Sequence, residues 1–395
     1  MKSALSANST ATLSGYADLY RGKRVLVTGH TGFKGSWLSL WLSHLGAEVI
    51  GYSTEPPTTP SHFIVCGLET KVTDLRGDLL EFEALRSVFT EYRPEIVFHL
   101  AAQPIVRQAY EQPRETFLVN VMGTVNVLEA ARQTDSVRTL LVVTSDKCYR
   151  NAEWDWPYRE IDQLGGFEPY GASKACAELA AAVYQDPQFQ EVANAGHTFS
   201  VVTARAGNVI GGGDWARDRI VTDIVHAIHA GRPLHLRYPR ATRPWQHVLD
   251  ALSGYLSLVA AVETAPTSFG GAWNFGPVTS VSLDVETFVR SFLQRWPAPA
   301  TEILIDAAGA AGEHRVLQLD SSKAVSRLGW EPAWDIDRTI EASVQWYRAY
   351  ECNRDADMYD LSSSQIAEYT ETAKSRGIAW STGCAASGRS KSEAR

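Results

Sequence analysis

Short apolar runs rich in β-branched residues alternate along this chain with longer segments whose apolar positions recur at helical spacing. The runs predict strands and the longer segments predict helices. We expect strands at 23–28, 48–52, 95–100, 138–144 and 200–204, and helices at 35–45, 79–92, 116–132 and 170–184. Such alternation is typical of βαβ units, so the predicted fold class is α/β, a Rossmann-type doubly wound parallel sheet covered by helices on both faces.

The alternation fails after Gly207, where Pro, Trp and Arg become more frequent. We expect this half of the chain to form a smaller C-terminal α/β lobe that binds substrate. The expected division is a disordered lead at 1–21, a cofactor-binding Rossmann domain at 22–206, a lobe at 207–360 of which part can return to the Rossmann sheet, and a disordered tail at 375–395.

Charge and cysteine usage narrow the possible partners and the compartment. The 395 residues include 37 Lys or Arg and 45 Asp or Glu, which gives a net charge of −8. This acidic balance argues against nucleic acid or a membrane surface as the main partner, and no apolar stretch approaches the roughly 20 residues needed to span a bilayer. The five cysteines include no Cys-x-x-Cys pair, which predicts reduced thiols and a cytoplasmic protein.

A glycine motif follows the first predicted strand and opens the first predicted helix, with the sequence VTGHTGFKG at 27–35. Glycines at this spacing let the backbone approach a pyrophosphate, whose charge lies against the helix N-terminus. A merely tight turn is the alternative. The dinucleotide contacts predicted in this motif are Gly29, Thr31, Gly32, Phe33, Lys34 and Gly35.

The chain after the second predicted strand bears on which dinucleotide binds. Glu55 follows this strand and no Arg is adjacent in sequence, which favours NAD over NADP. Farther on, Asp78 is a candidate hydrogen-bond partner of the adenine. The alternative is that Asp78 is the N-cap of the helix predicted to begin at Leu79.

A second motif places Tyr170 and Lys174 one helical turn apart, so an ammonium group lies near a phenol. We expect this placement to lower the pKa of Tyr170 toward working pH, as a general base acting on a hydroxyl requires. Ser145 follows a predicted strand and can hold the same substrate oxygen. Asp146 and Lys147 come next, either as an acid and base of the site or as a plain surface ion pair.

These residues together resemble the extended short-chain dehydrogenase/reductase family. Epimerases of that family have small residues after the serine, whereas Asp146 and Lys147 resemble the sugar-nucleotide 4,6-dehydratases. The resemblance is to the branch that acts on CDP-glucose, and it spans about 23–350. It is carried by TSDKCY at 144–149, GHTGFKGSWLSLWL from Gly29, HLAAQPIVR from His99, RAGNVIGGGDWA from Arg205, RPWQHV from Arg243 and WNFGP from Trp273.

The resemblance implies a hydro-lyase that uses NAD and returns it unchanged, in the biosynthesis of deoxysugars for O-antigen or lipopolysaccharide. Tyr170 would take the C4 hydroxyl proton while hydride leaves C4. Lys147 would then take the C5 proton, Asp146 in its protonated form would give a proton to the departing C6 hydroxyl, and hydride would return to C6. A 4-epimerase of the same family and a non-catalytic NAD-binding regulator are the alternatives.

Further binding residues are implied by the same segments. The cofactor set also includes Asp78, Leu79, Leu100, Ala101 and Ala102, and the substrate set comprises Gln103, Asn208, Arg219, Arg243 and His247. Arg205 is a further candidate for the diphosphate, because guanidinium groups bind phosphate oxygens in pairs. Asn120 resembles a family asparagine that binds nearby backbone, and an ordinary exposed helix position is the alternative.

Histidines and aromatic residues complete the candidates. His226, His229 and His235 have spacing compatible with metal ligands, but no Cys or carboxylate cluster completes a set, so no metal site is predicted. The aromatic loop at 153–158 is either a wall of the sugar pocket or an anchor of a core or lid.

Family members commonly dimerise through helices beside the sheet. A homodimer or homotetramer is therefore expected through the helices at 116–132 and 170–184. The alanines expected to permit close approach there are Ala130, Ala131, Ala177, Ala180 and Ala181.

Overall fold

The computed structural model describes residues 16–193, 198–277, 283–297, 301–305 and 316–382. The strands are β1 Arg24–Thr28, β2 Glu48–Ser53, β3 Thr73–Arg76, β4 Ile96–His99, β5 Thr139–Val143, β6 Ser200–Ala206, β7 Val209–Ile210, β8 Leu234–Leu236, β9 Gln246–His247, β10 Gly271–Phe275 and β11 Ile303–Ile305. Seven of them form one parallel sheet in the order β10-β6-β5-β4-β1-β2-β3.

The helices alternate with these strands in the first half of the chain and dominate the second. They are α1 Ala17–Tyr20, α2 Phe33–His44, α3 His62–Val65, α4 Phe82–Tyr92, α5 Val106–Glu111, α6 Pro113–Phe117, α7 Gly123–Arg132, α8 Pro169–Gln185, α9 Pro187–Ala193, α10 Ile220–Ala230, α11 Val248–Thr264, α12 Val285–Gln294, α13 Ser322–Leu328, α14 Ile336–Cys352, α15 Tyr359–Ser375 and α16 Ala379–Thr382. A π-helical turn at Leu118–Met122 joins α6 to α7, and 3₁₀ turns lie at Leu68–Thr70, Asp146–Cys148 and Pro266–Ser268.

The sheet is doubly wound, as predicted. The chain builds outward from β1 through β2 and β3, then returns to add β4, β5, β6 and β10 on the other side of β1. The direction therefore reverses between β1 and β4, and ligands of such sheets bind at the carboxyl ends of the strands beside this reversal.

Successive residues of β1 face opposite sides of the sheet, because side chains alternate along a strand. Val25 and Val27 belong to a large core with α2 and α11, whereas Leu26 belongs to a second core with α4, α7 and α8. Both faces are buried, which explains why the central strands are apolar throughout.

The second half of the chain does not fold apart from the first. Strand β10 pairs with β6 at the edge of the main sheet, and α11 packs in the same core as α2. Two small parallel pairs, β7 with β9 and β8 with β11, also come from this half.

The expected disorder is wrong at the inner part of both terminal segments. Tyr16, just before α1, and Tyr20, the last residue of α1, are buried. Trp380 in α16 stacks on Tyr16 at 5.3 Å and on Tyr369 at 5.9 Å between ring centroids. A few aromatic side chains bury enough apolar surface to fix these segments, although the surrounding composition is polar. Residues 1–15 and 383–395 of the expected lead and tail lie outside the described residues.

Within the described ranges, no helix combines the length and the apolar character that a membrane span requires.

Candidate active site

The triplet Ser145, Asp146 and Lys147 lies just beyond the carboxyl end of β5. Ser145 is the N-cap of the 3₁₀ turn, where its Oγ accepts a hydrogen bond from the Lys147 amide at 3.2 Å and donates one to Asp146 Oδ1 at 3.0 Å. Local hydrogen bonds therefore fix the three residues at the sheet edge where ligands bind.

Helix α8 delivers Tyr170 to this triplet. Glu168 caps the helix, since its carboxylate accepts hydrogen bonds from the amides of Tyr170 and Gly171, both at 2.7 Å. A Cβ at Gly171 would lie 2.5 Å from the Lys147 carbonyl oxygen. Only glycine therefore lets the first turn of α8 approach the triplet so closely, a role that the sequence motif did not reveal.

Burial controls the protonation of Tyr170. It raises the pKa of this phenol to about 12, although the nearby Ser145 side chain and the charge of Arg219 act in the opposite direction. Lys174 donates a hydrogen bond to the Val143 carbonyl at 3.2 Å, and burial lowers the pKa of its ammonium group to about 8. The expectation that the pKa of Tyr170 is lowered toward working pH is therefore wrong for this structure, because burial outweighs the effects of Ser145 and Arg219.

Asp146 occupies an environment that favours its protonated form. Its side chain is buried, which raises the pKa of the carboxyl group, while Lys147, Ser145 and Arg243 act in the opposite direction. Oδ2 of Asp146 is buried and has no hydrogen-bond partner. A carboxyl group of this kind can donate a proton to a hydroxyl that reaches it, and its burial argues against a plain surface ion pair.

The glycine motif forms a cradle with the shape that a pyrophosphate requires. A Cβ at Gly29 would lie 2.6 Å from the Ala101 amide nitrogen, and a Cβ at Gly35 would lie 2.0 Å from the Gly29 carbonyl oxygen. Gly32 is the N-cap of α2 and supplies no side chain to cap its amides. The loop therefore fits a dinucleotide, whose phosphates would lie against this helix end.

The end of β2 and the segment that follows β3 lie beside the glycine loop. Thr31 Oγ1 lies 2.8 Å from Ser53 Oγ, while Asp78 Oδ1 accepts a hydrogen bond from the Leu80 amide at 2.9 Å. Helix α4 begins at Phe82 with Glu81 as its N-cap, so the helix-cap alternative for Asp78 is wrong.

An arginine does lie at the end of β2 in space. The sequence pattern did not predict β3, whose last residue, Arg76, is in register with Ser53. Arg76 donates a hydrogen bond to the Thr54 carbonyl at 3.1 Å and forms an ion pair with Asp74 at 2.8 Å. No arginine is adjacent in sequence, but Arg76 is adjacent in space, where these partners already engage its guanidinium group.

Asn120 links the loop that follows β4 to helix α8. From the π-helical turn, its side chain accepts a hydrogen bond from the Gln103 amide at 2.8 Å and donates to the Gln103 carbonyl at 3.1 Å and to Ser173 Oγ at 2.9 Å. Asn120 therefore binds nearby backbone as predicted, and it is not an exposed helix residue. Leu100, Ala101 and Ala102 lie in the same loop after β4.

A pocket of about 140 Å³ opens beside the triplet and is lined by residues of the second half of the chain. The structure brings three predicted substrate residues to it, Asn208, Arg219 and Arg243. It also places Asp218, Asp223 and Tyr238 there, which sequence reasoning missed, since no motif marks them.

Three other candidates for substrate binding do not line this pocket, namely Gln103, Arg205 and His247. Gln103 donates a side-chain hydrogen bond to Thr116 Oγ1 at 2.9 Å, and its contact with substrate stays a prediction. Arg205 is buried in an ion pair with Glu178 at 2.8 Å and donates to the Tyr149 hydroxyl at 2.8 Å, so its expected role at the diphosphate is wrong. His247 has no exposed surface, and its imidazole accepts a hydrogen bond from the Leu249 amide as the N-cap of α11. Its contact with substrate stays a prediction.

The histidines and the aromatic loop at 153–158 are the remaining candidates. His229 contacts Glu351, and among the described residues no group of three or more His, Cys, Asp or Glu is placed to hold a metal ion. In the aromatic loop, Trp154 stacks on Tyr158 at 4.8 Å in a small core. Trp156 of the same loop is exposed.

Comparisons with known proteins agree with this arrangement. The family model of the GDP-mannose 4,6 dehydratases matches residues 26–343. A CDP-glucose 4,6-dehydratase of Salmonella typhimurium is 44% identical over 352 residues, which are 89% of this chain and 97% of that protein. A UDP-glucose 4-epimerase of Mycolicibacterium smegmatis is 25% identical and covers 82% of this chain and 98% of its own length.

Solved structures share the fold. A UDP-glucose 4-epimerase of Thermus thermophilus in complex with NAD is 25% identical with a TM-score of 0.67, over 82% of this chain and 99% of that chain. A dTDP-glucose 4,6-dehydratase of Bacillus anthracis in complex with NAD is 22% identical with a TM-score of 0.68, over 84% of this chain and 98% of that chain. The family match over most of the sequence and the 44% identity together show that this chain belongs to the GDP-mannose 4,6 dehydratase family.

Proposed function

We propose that the chain is a CDP-glucose 4,6-dehydratase, a hydro-lyase that converts CDP-glucose to CDP-4-keto-6-deoxyglucose for deoxysugar biosynthesis. The observation that carries this proposal is the position of Asp146 and Lys147, an acid and a base held directly beside Ser145 and Tyr170. The 44% identical Salmonella relative with that activity in its name supports the choice of CDP-glucose. A 4-epimerase needs no such acid and base, and a non-catalytic regulator needs no Tyr170, so neither alternative is favoured.

The cofactor of the proposed reaction is NAD, held by the glycine cradle of residues 29–35. NAD when bound supplies an acceptor for the hydride of C4 and a donor for its return to C6. Ser145 and Tyr170 would hold the C4 oxygen between them, because the Ser145 side chain lies near enough to the phenol to lower its pKa. Tyr170 would take the hydroxyl proton, and Lys174 would remain protonated below about pH 8 and place a positive charge near it.

Elimination follows because a ketone at C4 acidifies the hydrogen on C5. Lys147 would take the C5 proton, and Asp146 would give its proton to the departing C6 hydroxyl. The burial that raises the pKa of Asp146 supports the acid role. When hydride returns to C6, Lys147 would give its proton back to C5, and the proton that Tyr170 took from the C4 hydroxyl would restore Asp146 through solvent. One water leaves, and neither the enzyme nor the cofactor changes overall.

Incubation of the enzyme with NAD and CDP-glucose, followed by mass spectrometry, tests the proposal. We expect a product lighter than the substrate by one water, without NADH in proportion to product. An isomer of unchanged mass would indicate an epimerase, and NADH equal to product would indicate an ordinary dehydrogenase. No reaction at all would favour the regulator.

We also propose that the protein works in the cytoplasm as a homodimer formed by α6, α7 and α8. The described cysteines are free thiols, in keeping with a reducing compartment. Exposed apolar side chains lie on α6, the π-helical turn and α8, namely Phe117, Met122, Leu179 and Val183.

Four of the five alanines expected at this interface do not form it, while Ala180 is only partly buried. Ala130, Ala131, Ala177 and Ala181 are buried within the protomer, since they face its own sheet and helices. Light scattering at micromolar concentration should give a dimer, and Leu179→Glu should shift it toward monomer. A monomeric wild-type protein would contradict this assembly, and a tetramer would require a second interface.

A further inference from the structure

The pocket beside the triplet has two ends, which can be told apart by their charge interactions. At one end, Arg219 lowers the pKa of Tyr170 and Arg243 lowers the pKa of Asp146, so both guanidinium groups lie near the reacting residues. At the other end, the charges that act on Asp223 are those of Asp218 and Arg237. Asp223 lies at the end formed with Arg237, which follows β8, a strand outside the main sheet that carries the triplet.

A sugar nucleotide is a linear molecule with the sugar at one end and the base at the other. If the glucose lies at Ser145 and Tyr170, the diphosphate lies beside Arg219 and Arg243, whose guanidinium groups suit phosphate oxygens. The base then lies at the end of the pocket that contains Asp223. This assignment rests on the proposed function.

Asp218 and Asp223 differ in their partners although both line this end of the pocket. The carboxylate of Asp218 forms ion pairs with Arg107 at 3.3 Å and Arg237 at 3.5 Å. The Asp223 side chain has no hydrogen bond or ion pair with any described residue. The Asp223 oxygens reach the open pocket and are therefore available to accept a hydrogen bond from a ligand.

The position of Asp223 in the first turn of α10 offers a simpler explanation, because acids stabilise helix N-termini. That effect would lower the pKa of the carboxyl group. Instead, burial and the neighbouring Asp218 raise the pKa of Asp223 to about 6, and Arg237 offsets only part of this. At pH 8 the Asp223 carboxyl group is therefore ionised and can accept a hydrogen bond.

We propose that Asp223 selects cytosine by accepting a hydrogen bond from its exocyclic 4-amino group. A carboxylate is the usual acceptor for this group in base recognition. Uracil and thymine carry a carbonyl oxygen at the same position, which repels a carboxylate and leaves it unpaired. Asp223 therefore favours CDP-glucose over the UDP and dTDP analogues, while the sugar end of the site treats all three alike.

The test compares CDP and UDP, which differ only in the base, by isothermal titration calorimetry at pH 8 with the NAD-loaded enzyme. We expect wild-type protein to bind CDP about 10- to 100-fold more tightly than UDP, the range that one good base contact provides. In Asp223→Asn this ratio should fall to about threefold or less, because an amide can donate to a carbonyl as well as accept from an amine.

Asp218→Asn is the matched control, since this residue lines the same end but already has arginine partners. It should keep the wild-type ratio of CDP to UDP affinity. Asp223→Ala is a second variant that removes the acceptor without supplying a donor, and its ratio should also collapse. In all three variants, kcat with CDP-glucose at saturation should change less than KM, because the base lies away from the reacting carbons.

The two proposals can fail separately. If wild-type enzyme dehydrates CDP-glucose in preference to UDP-glucose, and both Asp223 variants keep the wild-type ratio, Asp223 does not read the base while the proposed function stands. If wild-type enzyme prefers UDP-glucose, the proposed substrate and the role of Asp223 are both overturned.

Discussion

The catalytic end, made of residues 145–147 and 170–174, and the pocket lined by the second half of the chain are held in place in different ways. The reacting side chains come from two short segments, 145–147 and 170–174, fixed by a buried strand and a capped helix. The pocket is assembled from loops, a helix start and short strands of the second half, and its charges are partly exposed. The proposed reaction depends on buried and tightly packed side chains. The proposed choice of substrate depends on pocket side chains that can bind either another residue of the chain or the ligand. Substitutions in the two regions should therefore affect different kinetic constants.

Lys147→Ala should have the largest effect and should leave binding nearly intact. Oxidation at C4 needs only Ser145, Tyr170 and Lys174, so the variant should form bound NADH and then stall, with elimination about 10²- to 10⁴-fold slower. Rapid mixing with absorbance detection and solvent deuterium at C5 measures both steps. Tyr170→Phe is the contrasting variant, in which NADH should not form. Elimination at the wild-type rate in Lys147→Ala would assign the lysine a structural role.

Asp146→Asn should also oxidise its substrate and slow the loss of water, because an amide cannot deliver the proton. The expected loss is within the same range of about 10²- to 10⁴-fold. Deuterium should still enter C5 from solvent, since Lys147 remains, and this separates the acid from the base. A defect confined to the first hydride transfer would contradict the acid role.

Arg219→Met tests the pocket, where we expect an effect on KM more than on kcat. The loss of a charge-assisted hydrogen bond to the diphosphate costs about 1.5 to 3 kcal/mol, or roughly 10- to 100-fold in KM. Arg217→Met is the control, because Arg217 is exposed and does not line the pocket. If kcat falls and KM does not, Arg219 acts mainly on Tyr170 rather than on substrate.

Gly171→Ala tests whether tight packing sustains the catalytic end. Its Cβ would lie 2.5 Å from the Lys147 carbonyl oxygen, so α8 or the triplet must shift. Overpacking of this kind costs about 1 to 3 kcal/mol, and we expect a lower Tm together with a lower kcat. Gly270→Ala is the matched control, since a Cβ there meets nothing within 4 Å. Unchanged kcat in Gly171→Ala would show that the close approach is dispensable.

Lys34→Met should have the smallest effect, a displacement of the alkaline limb of the pH profile. Burial first and then the charge of Lys34 lower the pKa of Lys174 to about 8. Removing that charge raises the pKa of Lys174, so activity that requires its ammonium group should persist to higher pH. Measuring kcat from about pH 7 to pH 10 tests this. Lys34→Arg keeps the charge and should keep the limb in place, whereas an unmoved limb in Lys34→Met would exclude this coupling.

The central strands and the helices between them could be predicted from the sequence because burial on both faces makes them apolar. Strand β3, with the sequence TDLR, was missed because an edge strand is partly exposed and carries polar residues. Strand β10 was missed for another reason. Its pairing with β6 joins distant parts of the chain, and local pattern carries no information about such partners.

The residues of the candidate site also divide into those that the sequence could predict and those that it could not. Ser145 and Tyr170 lie in segments with recognisable spacing, and the structure brings these segments together. Asn120 was expected from resemblance alone, and the structure shows its bonds to the Gln103 backbone. Arg205 was misjudged because sequence does not show that Glu178 lies opposite it. Asp223 was missed because its role depends on which neighbours are already paired, a property of the folded pocket alone.

The aromatic contacts between the two ends of the chain bear on how the protein is made. Trp41 on α2 packs against Tyr369 and Trp380, with ring centroids 5.8 and 6.1 Å away. During synthesis the first strands leave the ribosome long before these partners, so the apolar face of α2 stays uncovered until nearly the whole chain has emerged. Such surfaces invite aggregation, and stop codons or proteolysis that remove α15 and α16 should yield insoluble protein even though every reacting residue is present.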